Sequence, residues 1–326
     1  MTGFQPKTTP RLLCGMVAIV GRPNVGKSTL LNALVGEKVS ITCDKPQTTR
    51  HRILGIVNQA DSTTATQMIF VDTPGFQRHH KNQLTHRMNE TVTQALQSVD
   101  VIIWVIECNE LTQADEDLAA ILPSNIPVVL LINKIDRLKN RNELLPYIAT
   151  LAEKYPNIAG VVPVSATKGW ALEELTKSIT RYLPEGEHQF PSDWYTDQSQ
   201  RALVVERIRE KVFRFTGDEI PYGTAVMIEK WENTPRTVHI SAAILTTESR
   251  HKAILIGKKG ARLKEIGQLA RHDIEKILDK PVMLNLWVKV REGWENKINV
   301  LQELARDLVS FEAPPVEDNV SSTEQG

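Results

Sequence analysis

The chain is 326 residues long, 41% hydrophobic and 24% charged, with a formal net charge of zero. That length accommodates two domains of roughly 100 to 200 residues each, and the balanced charge excludes a uniformly basic nucleic-acid binder. The longest apolar run, Val101 to Ile106, falls far short of the roughly 18 residues of a membrane span; Cys14, Cys43 and Cys108 share no short spacing, which excludes a zinc cluster or disulfide framework and points to a reducing cytosol.

Met1 to Pro10 lacks the apolar core of a signal peptide, so residues 1–11 read as a disordered extension. From 12 to 184, short apolar runs alternate with amphipathic stretches of helix length, the pattern of a sheet flanked by helices. Strands are expected at Val17 to Val20, Arg52 to Val57, Gln67 to Val71, Val101 to Ile106, Val128 to Ile132 and Val161 to Val164. A polar segment too short for a helical crossover joins the second and third, so these two should pair antiparallel at the edge of a mostly parallel sheet. His79 and His80 read as solvated loop residues rather than metal ligands.

Within this α/β domain, Gly21-Arg22-Pro23-Asn24-Val25-Gly26-Lys27-Ser28 fits GxxxxGK[ST] between an apolar strand and a helical stretch, Thr29 to Val35. Such glycines let backbone N–H groups curl around phosphate oxygens, and the helix N-terminus adds partial positive charge. Lys27 is then the contact to the β and γ phosphates and Ser28 a Mg²⁺ ligand. The loop Pro46-Gln47-Thr48-Thr49-Arg50 offers a threonine to complete the Mg²⁺ sphere, and the sequence leaves Thr48 and Thr49 equally eligible. Asp72-Thr73-Pro74-Gly75 follows a strand; alone it would be a turn, but beside a phosphate loop Asp72 becomes the acid that holds the Mg²⁺ shell and Gly75 N–H the γ-phosphate sensor. Lys27, Thr48 or Thr49, and Gly75 are accordingly the candidate catalytic groups. Asn133-Lys134-Ile135-Asp136 also follows a strand. The Asp136 carboxylate suits N1–H and the 2-amino group of guanine, which adenine does not offer, and Ser165-Ala166 can supply an N–H to O6. The nucleotide is GTP or GDP.

Residues 185–200, with two prolines and a glycine just inside or at their border, read as a linker. From 201 to 310 the expected order is a helix (Ala202 to Arg214), strands at Thr224 to Lys230 and Thr237 to Thr246, two helices flanking Gly257 to Gly260, a strand at Val282 to Val290 and a helix from Glu295 to Val309. Between Ser249 and Lys264 lie Arg250, Lys252, Lys258, Lys259, Arg262 and Lys264, a local basic patch hidden by the zero total. Trp231, Trp287 and Trp294 read as packing residues before base-stacking platforms. The tail, 311–326, is acidic from Glu312 onward and reads as disordered.

Ile256-Gly257-Lys258-Lys259-Gly260, ending one helix and opening another, resembles the GxxG loop of a smaller α+β KH domain of type II, in which small glycines admit the phosphodiester backbone. Lys258, Lys259, Arg262 and Lys264 are its candidate RNA contacts. Together with GRPNVGKST, QTTRHR, VDTPGF, NKID, VSA and YLPEGEHQFPSDWYTDQ, this chain resembles the Era family of bacterial GTPases over nearly its whole length. The resemblance implies a P-loop GTPase domain followed by a KH domain, GTP hydrolysis with Mg²⁺, and binding to the 3′ region of 16S rRNA during assembly of the 30S subunit, in a cytoplasmic monomer. It also implies K⁺ beside the phosphates through Asn24. Phe76 stands where Ras-like enzymes carry a water-orienting glutamine. The competing reading is a membrane-associated signalling GTPase whose basic face meets anionic lipid at the inner membrane surface; flanking glycines, unnecessary for lipid, favour RNA.

Overall fold

The computed structural model describes residues 10–43, 45, 48–76, 83–108, 111–217 and 220–308. Pro46, Gln47, His79, His80, most of the N-terminal extension and the acidic tail lie outside the described residues.

The first sheet has six strands in the order β2-β3-β1-β4-β5-β6: β1 (Arg11–Val20), β2 (Ile53–Ala60), β3 (Thr64–Asp72), β4 (Val101–Glu107), β5 (Val128–Asn133) and β6 (Gly160–Pro163). β2 pairs antiparallel with β3, and every other pairing is parallel. Strands covered on both faces must be apolar throughout, which is why VIIWVI of β4 and VVLLI of β5 are continuous runs. The helices α1 (Lys27–Val35), α2 (Gln83–Gln97), α3 (Gln113–Ala119), α4 (Leu144–Lys154) and α5 (Leu172–Thr180) fill the connections. One apolar cluster, with Val17, Ile19, Leu30, Phe70 and Ile103, lies on one face, and a second, with Ala18, Val71, Ile102, Trp104 and Leu130, on the other.

β1 begins at Arg11, well before the expected Val17. Its first half aligns with Thr64 onward, and Gly15, which breaks the apolar pattern, is required there because a Cβ would meet Asp100 Oδ2 and Leu183 Cδ2, each at 2.9 Å. Residues 185–200 do not hang free. Cys14 N–H donates to Pro184 O and Gly186 N–H to Leu12 O, buried Gln67 accepts from Gln189 and Phe190 N–H at 2.8 and 3.0 Å, and Thr196 donates to Leu54 O. The segment is a strap along the first sheet.

It leads into α6 (Gln200–Phe215), capped by Ser199, whose hydroxyl accepts from Ala202 N–H. A second sheet follows, β7-β8-β9, from β7 (Thr224–Asn233), β8 (Val238–Thr246) and β9 (Val282–Val290), with β7 and β8 antiparallel and β8 and β9 parallel. The crossover holds α7 (Ser249–Ile256) and α8 (Ala261–Leu278). Ile266, Ala270, Ile274 and Leu278, spaced by four, bury one stripe of α8 against this sheet. The last helix, α9 (Ile298–Leu308), starts later than the expected Glu295 because residues 294–296 form a 3₁₀ turn that tucks Trp294 into the core, its Nε1–H donating to Gly223 O at 3.0 Å. Trp231 and Trp287 pack against the same module's apolar clusters.

α6 is buried on nearly all sides, charged residues included. The module's own sheet covers one side. The loop between α1 and β2 covers the other.

Candidate functional site: a phosphate loop, a buried acid and a basic GxxG loop

Four strands of the first sheet end at one edge: β1 delivers Gly21, β3 delivers Asp72, β5 delivers Asn133 and β6 leads to Ser165. Open sheets of this kind bind ligands at that edge. A cavity of about 440 Å³ lies there, lined by Pro23, Asn24, Gly26, Lys27, Ser28, Thr29, Thr48, Thr49, Gly75, Asn133, Lys134 and Asp136, and also by Thr167 and Arg214, which no sequence motif marked.

The phosphate loop turns with Asn24 and Gly26 at positive φ, 66° and 100°. Gly26 has a second reason to be glycine, since a Cβ would sit 2.3 Å from Asn133 Nδ2. That amide donates to Val25 O at 2.8 Å while its oxygen accepts from Ala166 N–H at 3.1 Å. Asn133 thus staples the phosphate loop to the Ser165-Ala166 loop, a role beyond base recognition. Lys27 is buried, its Nζ donating to Gly21 O and Arg22 O, both at 3.0 Å. The Arg22 guanidinium turns away to Glu107 and Asp115 at 3.3 and 3.1 Å, so it braces the loop from outside. Val25 is core, and Thr73 donates its hydroxyl to Ile19 O. Pro74 is buried. At Gly75 a Cβ would meet Pro23 N and Cα at 2.9 Å, which keeps this backbone against the phosphate loop.

Asp72 is fully buried beside Lys27. Its Oδ2 accepts from Ser28 at 2.8 Å, Ser40 at 3.0 Å and Thr49 at 3.3 Å, and Ser28 and Thr49 hydroxyls lie 2.9 Å apart. Its Oδ1 is buried without a partner. Burial pushes this carboxyl up, against the pull of Lys27 and the hydroxyls. Hard oxygen donors, one of them a buried acceptor left unsatisfied, suit Mg²⁺. Thr48, the alternative, also lines the cavity, and its carbonyl accepts from Arg209. Ser40 carried no motif and was legible only from its place beside the acid.

At the base end, Ser165 Oγ donates to Asp136 Oδ1 at 2.5 Å, leaving the other oxygen for a ligand. Lys134, at φ 63°, pairs with Glu107 at 3.1 Å. Phe76 packs against the apolar cluster of the β4 face.

In the second module, α7 ends at Ile256, and Gly257, Lys259 and Gly260 all take positive φ, 72°, 52° and 79°. A Cβ at Gly257 would meet Arg262 Cβ at 2.8 Å. Lys258, Lys259 and Lys264 are exposed, while Arg262 ties the turn by donating to Ile254 O at 2.9 Å. A groove of about 440 Å³ continues from Gly260 along Leu263, Lys264 and Gly267 to Leu284 and Leu286 of β9. Its apolar floor and basic rim suit bases and phosphates in that order.

Residues 16–134 match the family described as 50S ribosome-binding GTPase, and residues 219–295 match the KH domain. The chain is 46% identical to GTPase Era of Bordetella pertussis over 297 residues, covering 91% of this chain and 99% of that one. It is 47% identical to GTPase Era of Pseudomonas fluorescens over 292 residues, 89% and 96% of the two. A crystal structure of Aquifex aeolicus Era bound to GDP·AlF4⁻ superposes with a TM-score of 0.86 at 43% identity, and Era in complex with MgGDPNP and nucleotides 1506–1542 of 16S ribosomal RNA with 0.87 at 42%; each covers 91% of this chain and is covered entirely.

Burial lowers the Lys27 ammonium to about 8, with Asp72 opposing the drop. The sign follows: between pH 8 and the ordinary 10.5 the folded, nucleotide-free chain sheds a proton that the unfolded chain retains, so stability rises with pH in that window. Denaturant unfolding of wild type against Lys27→Met should show the difference moving in favour of wild type by about 3 kcal/mol across it. A flat difference would mean that the Lys27 ammonium is not desolvated in the nucleotide-free chain.

Proposed function

This chain belongs to the Era family of GTPases, and we propose that it binds and hydrolyses GTP, binds the 3′ region of 16S rRNA through its KH module, and acts in assembly of the 30S subunit. The observation that carries this reading is the convergence of Lys27, the Asp72 hydroxyl cluster and Asp136 around one cavity, in a chain whose second module presents two exposed lysines between glycines.

The geometry supports the following roles. Gly21 to Thr29 cradle the phosphates, with Lys27 as the cation beneath them. Ser28, Thr49 and Asp72 would hold Mg²⁺, which would neutralise phosphate charge. Asp72, Thr73 and Pro74 lead to Gly75, whose backbone lies against Pro23, where the Gly75 N–H would meet a γ-phosphate. Asp136 reads the guanine edge, and Asn133, Lys134, Ser165 and Ala166 hold that end of the site together. Phe76 offers no hydrogen bond, so the attacking water is ordered by backbone and ions rather than by this side chain. We place the protein in the cytoplasm as a monomer with residues 12–184 as G domain, 185–200 as strap and 201–310 as KH domain. Among the described residues no helix is long and apolar enough to cross a membrane.

The ions separate the threonines. Thr49→Ala, and not Thr48→Ala, should raise the Mg²⁺ needed for half-maximal hydrolysis by about tenfold, the weight of one ligand at a hard-cation site. In the same assay K⁺ in place of Na⁺ should speed hydrolysis through Asn24, and equal rates in the two salts would remove K⁺ from the site.

Asp136→Asn exchanges an acceptor for a donor at the base edge and should weaken GTP by about 2 to 3 kcal/mol while gaining xanthosine triphosphate. Unchanged GTP affinity would overturn the base assignment.

Lys258→Asp combined with Lys259→Asp puts carboxylates where the phosphodiester must approach. The double variant should lose a 16S 3′-end oligonucleotide in a filter-binding assay and keep unstimulated GTP hydrolysis. Retained RNA affinity together with lost binding to anionic vesicles would instead support peripheral attachment to the inner membrane.

A further inference from the structure

The nucleotide cavity is built mostly by the first module, yet Arg214, in the last turn of α6, lines it as well. Its side chain is 49% exposed and pairs at 2.6 Å with Glu210, four residues earlier on the same helix. The other cations of α6 are committed elsewhere. Arg201 pairs with Asp307, Arg207 donates to Lys38 O, Arg209 to Glu206 and Thr48 O, and Lys211 to Asp273. Among the described residues Arg214 alone of these has its ion pair within its own helix and no hydrogen bond or ion pair to another element.

The helix end that carries Arg214 is fixed against the nucleotide side. Lys45 donates to Phe213 O at 2.9 Å and also to Thr216 O, placing a cation on the negative end of α6 and satisfying carbonyls the helix leaves open. Thr42 and Cys43, just before Lys45, line the same cavity. The Glu210 carboxylate is fully buried, with Lys38 at 2.5 Å and Lys211 at 3.8 Å. When Arg214 turns toward the cavity, the Glu210 carboxylate keeps two cationic partners, Lys38 and Lys211, both on its Oε2.

Resting on the GTP-binding reading above, we propose that Arg214 is a nucleotide contact supplied by the RNA-binding module, its guanidinium donating to phosphate oxygens of the bound guanine nucleotide. A planar fork of N–H donors matches a phosphate in geometry and charge. The phosphate loop itself brings one cation, Lys27, because Arg22 is spent on Glu107 and Asp115. A polyphosphate in this cavity therefore gains from a second cation; Lys134 and Arg137, which also line it, are paired with Glu107, and Arg214 stands half in solvent beside it.

The test uses the full chain and equilibrium binding of fluorescent GTP and GDP. Arg214→Ala and Arg214→Gln should each weaken nucleotide by about tenfold, the weight of one charge-assisted hydrogen bond, with Arg214→Lys within about threefold of wild type. Melting temperature and affinity for the 16S 3′-end oligonucleotide should not move. Arg214→Gln keeps a polar, hydrogen-bonding side chain but removes the charge, so wild-type affinity in Arg214→Gln would overturn the proposal, as would nucleotide affinity within twofold of wild type in Arg214→Ala. Lys27→Ala is the control that separates the two readings. Lost nucleotide binding in Lys27→Ala beside unchanged binding in the Arg214 variants leaves the GTP site in place and removes Arg214 from it; intact binding in Lys27→Ala removes the site itself.

Discussion

A single carboxylate organises this molecule. Asp72 ends β3 in the interior with no exposure, and burial of a charge there is tolerable only if it is paired and hydrogen-bonded. Lys27 provides the opposite charge, and Ser28, Ser40 and Thr49 provide the hydrogen bonds. Ser28 comes with the phosphate loop, but Ser40 and Thr49 come from the loop between α1 and β2, which has no regular structure of its own. The acid thereby fixes a loop that backbone propensity leaves undetermined. Its Oδ1 is buried without a partner.

The same loop is held from its other side by α6. Lys38, Lys45 and Arg50 reach from the loop to Glu210, to the C-terminal carbonyls of α6 and to Pro221, Tyr222 and Thr224 O, while Arg207 and Arg209 reach back to Lys38 and Thr48 O. Burial beside Arg209 pushes Arg50 down to about 9, a sign of how completely this guanidinium is enclosed. Thr48 carries the carbonyl gripped by Arg209, and Thr49, the next residue, carries the hydroxyl on Asp72. Adjacent residues of one loop thus report to the two modules.

Much of this was readable from residue order. Continuous apolar runs located β4 and β5, the polar connection forced β2 and β3 antiparallel, and the alternation of helices and strands after 200 placed α6 through α9 to within a few residues. The phosphate-loop and NKID motifs carry their own mechanism, because their spacing fixes which backbone groups face a ligand. Three things were not readable. That the Thr49 hydroxyl lies on Asp72 depends on a register in an irregular loop, where neither period 2 nor period 3.6 applies. The strap at 185–200 looked like a linker because its bonds go to backbone groups and to Gln67, contacts that composition does not encode. Arg214 carried no signal beyond ending an expected helix, since nothing local says that the C-terminal end of α6 abuts a cavity of the other module.

The character of the contact between modules follows from what α6 buries. Toward its own sheet it presents Val204, Val205, Ile208 and Val212, an apolar face continuous with the module's core. Toward the loop it presents Arg207, Arg209 and Glu210, and the bonds formed there are ionic or run from cation to carbonyl. Apolar burial is non-directional and scales with area, so it holds a module together through small distortions. Charged contacts require matched partners, and each one broken inside leaves a desolvated group behind. The first kind of surface makes α6 an integral part of the second module. The second makes its seat on the nucleotide loop specific to one register, in which Arg209 finds Thr48, Lys45 finds the end of the helix, and Arg214 stands at the cavity that Asp72 and Lys27 define.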